Sequence, residues 1–163
     1  MAITAYTTYD DIRAALGVSS DEIEDATLSL DIYELNLTSE FEDISLSLAS
    51  AYATVAALTS RSDVQERFYQ ATRLFSAYAV AYQATSSLPL FSPKDISDGK
   101  ATVSRYADSP YKAVIAQVKT LYEKFKGKLE KAYADNSATS VADLAPRPYF
   151  TVVSPSYDPV TGT

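Results

Sequence analysis

The chain contains no cysteine, no histidine and no tryptophan among its 163 residues. Without cysteine there is no disulfide and no thiolate nucleophile. Without histidine the Ser-His-Asp mechanism and the usual zinc ligand sets are missing from this chain. The four glycines, at positions 17, 99, 127 and 162, are too scattered for a loop that cradles phosphate. The acids lack the alternating spacing, central glycine and closing glutamate of a calcium loop. No apolar run approaches the ~20 residues of a membrane span. Met1 to Tyr6 show neither the basic nor the apolar part of a secretory signal, so none is expected. Any catalysis would rest on Asp, Glu, Lys, Tyr or Ser. The acids at 21–25 and 40–43 can pair across a helix turn, for example Asp21 with Glu24 or Asp25, but such clusters more often decorate helix starts and solvated faces. No enzyme activity, cofactor or metal is therefore expected.

What is present suits one folded domain. Apolar residues make up 47% of the chain and aromatics 12%, with 13 tyrosines, enough for a core and too many for a disordered chain. The net charge of −7 argues against non-specific nucleic-acid binding, and it is unevenly spread. Residues 1–50 hold eleven acids and one base, Arg13, whereas residues 94–131 hold nine bases and five acids. Two readings stand. The regions are solvated faces of opposite sign on one monomer, or they are complementary faces of neighbouring subunits, which suits head-to-tail association.

Local chemistry predicts mostly helix. Thr7 or Thr8 starts a short one, Asp10 and Asp11 favour its first turn, and Gly17 stops it. Ser19 and Glu22 have capping-box spacing, with Ile23, Ala26 and Thr27 continuing for a turn or two. Leu28 to Leu37 fit both alternation and helical spacing; a helix from about Asp31 is favoured because Phe41, Ile44 and Leu48 continue its pattern. Ala51 to Leu58 extends or restarts it. The strongest signal runs from Ser62, as cap, to Thr85, with Val64, Phe68, Ala71, Phe75, Tyr78 and Tyr82 as a core stripe. Pro89 and Pro93 end that helix. Asp98-Gly99 is a turn signal, and residues 94–106 read as a short hairpin. A last helix is predicted from Ser109 to Tyr133 along Val114, Val118, Leu121, Phe125 and Leu129. Lys124, Lys126, Lys128 and Lys131 would then lie near its C-terminal end, where the dipole favours cations; an anionic neighbour is the other reading.

From Asp135 the composition becomes small and polar, so residues 135–163 read as linker and extended arm. Four prolines within 146–163 exclude a helix there, yet Tyr149, Phe150, Thr151, Val152 and Val153 are strand-prone. This tail is either a frayed terminus or an arm that docks on a partner, most simply as an added strand. The expected fold is thus mainly α: a helical bundle over residues 1–134, a short β-hairpin insertion between the last two long helices, and an extended C-terminal arm.

The order of these elements resembles the small head–tail connector (adaptor, or head-completion) proteins of tailed bacteriophages. The matching stretches are Asp10 to Val18 and Ile96 to Tyr106, within a likeness over about residues 8–133. The resemblance implies a structural virion protein at the neck, the portal–tail junction, made in the bacterial host cytoplasm. It implies a homo-oligomer, a twelve-membered ring under the portal protein, which contacts a tail or neck protein and extends the DNA channel without membrane contact. DNA would pass without specific binding, which suits a negative subunit. The arm, with Tyr149 to Val153 and Tyr157, would reach the portal. Lys100, Arg105, Lys124, Lys126 and Lys128 would face the portal or a neighbouring subunit. The acids Asp21, Glu22, Glu24 and Asp25 would line the lumen or an interface. The competing reading is a small helical protein-binding module, monomeric or dimeric, whose tyrosine-rich surface grips a partner.

Overall fold

The computed structural model describes residues 2–85, 95–97, 102–104 and 112–144, with backbone alone at 95–97, 102–104 and 139–144. Ile3–Ala5 form a single 3-10 turn that brings Ile3 and Tyr6 into the core. Helix α1 is Tyr9–Leu16. Thr8 and Asp11 cap it reciprocally: the Asp11 N–H donates to Thr8 Oγ1 at 3.1 Å, and the Thr8 N–H donates to Asp11 Oδ2 at 3.4 Å. Gly17 ends it with φ of 72°, the left-handed conformation that a side chain opposes.

The predicted Ser19–Glu22 contact forms, with the Ser19 N–H donating to Glu22 Oε2 at 2.8 Å, but it closes a turn rather than a helix. Helix α2 is a single turn, Asp25–Leu28, and α3 is Asp31–Ile44, so the helical reading of the ambiguous stretch is the right one. The chain breaks at Ser45, which is extended (φ −167°, ψ 135°), and restarts as α4, Leu48–Ala56. Arg61 closes the end of α4: its Nε donates to Val55 O and its Nη2 to Ala56 O, both at 2.9 Å.

Helix α5, Asp63–Ala84, is the central element. Ser62 caps it, with Gln65 reaching back to complete the box. Phe68 and Phe75 are fully buried, while Val64, Ala71, Tyr78 and Tyr82 flank them half-buried. Burial extends beyond this stripe to Thr72, Ser76, Ala77, Ala79, Val80 and Ala81, because other helices cover more than one side of α5. Thr72 and Ser76 satisfy their hydroxyls within the helix, donating to Phe68 O at 2.9 Å and Thr72 O at 2.8 Å. Asp95–Ser97 (β1) and Thr102–Ser104 (β2) pair antiparallel, Ile96 opposite Val103. The residues joining and flanking these strands lie outside those described.

Helix α6, Lys112–Leu144, packs along α5. Of its expected stripe Val114, Val118, Phe125 and Leu129 face the core, with Val118 and Leu129 fully buried, whereas Leu121 is half-buried outside the core cluster and Tyr122 packs there instead. The helix does not stop at Tyr133. It runs eleven residues further, through the stretch read as linker, and buries Asn136 on the way. No glycine or proline interrupts residues 128–145, and a small, polar composition alone does not stop a helix whose inner face is covered. One consequence is that Lys124 to Lys131 lie mid-helix, out of reach of a dipole effect confined to the last turn.

A relay of rings joins the elements. Tyr69 stacks on Tyr52 (5.4 Å between centroids), Tyr52 meets Tyr6 (5.2 Å), Tyr6 meets Phe41 edge-on (4.9 Å), Phe41 meets Phe75 (6.0 Å) and Phe75 meets Tyr122 (5.7 Å). All nine described tyrosines are in the core or packed against it. Among them Tyr6 and Tyr52 are buried, and the other seven are half-buried against the core.

Candidate functional site

The four acids Asp21, Glu22, Glu24 and Asp25 lie in and beside the turn that leads into α2. Asp21 and Glu22 are exposed in the turn before α2, and Glu22 is held by Ser19. Glu24 sits exposed at the N-cap of α2 and makes no side-chain capping bond. Asp25 turns instead to Arg13, the one base of the acidic region. Arg13 is 6% exposed, and its guanidinium reaches three groups at once. Its Nε donates to Ile23 O at 2.8 Å, Nη1 to Asp10 Oδ1 at 2.9 Å, and Nη2 to the Asp25 carboxylate. Arg13 thus ties the 19–25 turn to α1, a structural role that the sequence reading did not pick out. Among the described residues no cluster of acids is placed to hold a metal ion.

The lysines of α6 also part company, because residues two apart on a helix point nearly opposite ways. Lys126 turns to α3 and donates to Glu40 Oε2 at 2.8 Å, an ion pair only about a third exposed on either side. Lys128 lies over the Phe125 ring at 5.3 Å, on the other edge of the helix, and Lys124 is exposed. The expected single basic face is thus divided: Lys126 is spent inside the molecule, and Lys128 is left to an outer groove. Lys100, Arg105, Tyr149 to Val153 and Tyr157 lie outside the described residues.

The pair beneath α3 gives the domain an alkaline limit. Burial, and then the neighbouring Glu40, push the Tyr122 phenol up to about 12. The hydrogen bond to Glu40 raises Lys126 above its ordinary value, and burial raises Tyr52 and Tyr6. Each of these groups holds its proton more tightly folded than unfolded. Their stabilisation is complete below the unfolded values, near pH 10, and is lost as pH rises through the folded ones. The urea midpoint is expected to be flat to about pH 9 and to fall between about pH 10 and 12, with a shallower fall in Tyr122→Phe. An unchanged alkaline slope in that variant would remove Tyr122 from the account.

Two surfaces stand out where apolar side chains remain uncovered. The first is an open groove of about 390 Å³ between α5 and α6. Val64, Ala71, Leu74 and Ala132 form its apolar part; Arg67, Lys128, Lys131, Gln70 and Asp135 surround them. A shallower hollow shares Gln70 and Leu74 and extends the surface to Ala14, Ala15 and Ala77, beside the 3.2 Å ion pair of Arg73 with Asp11. Leu74, 44% exposed, lies where the two meet. The second surface is the outer face of α3 and the residue before it, where Leu30, Ile32 and Leu35 are more than half exposed among Asp31, Glu42 and Asp43. Neither was picked out from sequence. Leu74 falls between positions of the core stripe, and Ile32 and Leu35 read there as part of a buried pattern. A small polar pocket between residues 4–8, Tyr52 and Tyr69 is lined by Thr7, whose buried hydroxyl has no partner among the described residues.

Among the described residues no helix is long and apolar enough to cross a membrane. No family model, no curated protein and no solved structure matches the chain.

Proposed function

We propose that the chain is a structural ring subunit of a virion that joins the portal to the tail or neck and extends the DNA channel. The observation that carries the reading is the separation of charge within one mainly helical domain. Acids concentrate on α1 to α3 and the exposed bases Lys128 and Lys131 on the outer edge of α6, and each region has apolar side chains left uncovered. Complementary patches at different places on one surface favour heterologous contacts, and such contacts close into rings when the rotation permits. The order of elements supports the likeness to head–tail connectors. In this reading residues 94–106 form a hairpin insertion that meets a neighbour or the portal. The strand-prone run from Tyr149 to Val153 docks on the portal, and the acidic surface keeps DNA sliding.

Native mass spectrometry of the full chain, alone and mixed with a candidate portal ring, tests this. A stoichiometric twelve-copy complex is expected. Deletion of residues 146–163 should abolish portal binding and leave the helical circular dichroism unchanged. A full-length chain that remains monomeric with the portal present would overturn the proposal in favour of a helical binding module, for which the α5–α6 groove is the natural site. Retained binding by the deletion variant would remove the arm from it.

A further inference from the structure

We infer that the α5–α6 groove receives the outer face of α3 from a second copy of this chain. The inference deepens the ring reading and rests on it, since it names the surfaces by which subunits would meet. Ile32 and Leu35 are 55% and 64% exposed and, three residues apart, share one face of α3. Leu30, 53% exposed, immediately precedes the helix, and Asp31, Glu42 and Asp43 are exposed on the same element. The groove offers the counterpart: an apolar strip of Val64, Ala71 and Leu74, with three bases, Arg67, Lys128 and Lys131, against one acid, Asp135, around it. An amphipathic helix seated in an apolar groove between two others is a common mode of helix recognition.

The two surfaces cannot meet within one molecule. Helix α3 packs on α5 through Phe41 against Phe75 and on α6 through Glu40 against Lys126. Lys128, two residues on from Lys126, is turned about 200° around the helix. The groove therefore opens on the edge of α6 away from its own α3. Charge selects the pairing. An α3-to-α3 contact would crowd Asp31, Glu42 and Asp43 of both copies together. A groove-to-groove contact would do the same to Arg67, Lys128 and Lys131. Only α3 against groove joins opposite signs, and because it uses two different patches it can propagate from copy to copy.

The absence of cysteine makes the test free of background. Leu35→Cys and Leu74→Cys are placed together in the full chain, both at exposed positions, and treated with a short bismaleimide with and without a candidate portal ring. A covalent ladder from the double variant is expected, with no oligomer from either single variant and only dimers from their mixture. Lys128→Glu with Lys131→Glu should weaken assembly at low salt by at least about tenfold. Oligomers in native mass spectra without the heterotypic cross-link would overturn this interface and leave the ring reading standing. Absence of any oligomer, alone or with the portal, would overturn both. Cross-linking that stops at dimers in the double variant would support the paired surfaces and overturn the ring.

Discussion

Phe75→Ala is expected to lower the unfolding free energy by about 3–5 kcal/mol, the range for deleting a buried aromatic ring. The ring has no exposed surface and sits where three elements meet, 6.0 Å from Phe41 of α3 and 5.7 Å from Tyr122 of α6. Its removal leaves a cavity in the middle of α5, where neighbours held by the Glu40–Lys126 pair and by the relay of rings have little freedom to collapse inward. The measurement is urea unfolding followed by circular dichroism, where the midpoint should fall while the slope stays constant. Leu35→Ala on the exposed face of α3 is the matched control, expected within about 0.5 kcal/mol of the parent. Equal effects at the two positions would mean that α5 is not the centre of the core.

The second large effect concerns the far end of α6. Ala134→Pro should cost about 3 kcal/mol, because proline removes a backbone donor and clashes with the preceding turn inside a helix. Ala134 is exposed, so no packing is lost directly and the backbone alone is tested. The turn it would break holds Tyr133, whose hydroxyl lies 3.0 Å from Ser45 Oγ and 2.7 Å from Ser47 Oγ, and leads to buried Asn136. Hydrogen exchange should show lost protection over residues 134–144. A neutral substitution with no change in exchange would restore the reading in which the helix ends at Tyr133 and a linker follows.

These two sites differ in how far they can be read from sequence, and the reason is physical. Phe75 belongs to a stripe at spacings of three and four between a serine cap and two prolines, so periodicity alone marks it as core. The continuation past Tyr133 rests on no such signal. Asp135 to Leu144 are polar enough to look like linker, and they become helix where the growing end of α6 finds neighbours for Tyr133 and Asn136. Charge behaves similarly. The imbalance between residues 1–50 and 94–131 can be counted along the chain. Which of those charges remain available cannot, since Lys126 is drawn inward by Glu40, 86 positions away, and Asp25 by Arg13, twelve away.

By itself the sequence determined the helical class, the cap at Ser62, a first cap at Thr7 or Thr8, the stop at Gly17 and most of the core stripes of the two long helices. All of these are set within a turn or two of chain, by hydrogen bonds and spacing that need no distant partner. Tertiary structure alone decided the path of Arg13, the burial of Tyr6, the length of α6, and the survival of two apolar patches as surface. Those outcomes depend on which helix lies against which, and the burial of a side chain is a property of its neighbours in space rather than of its place in the chain.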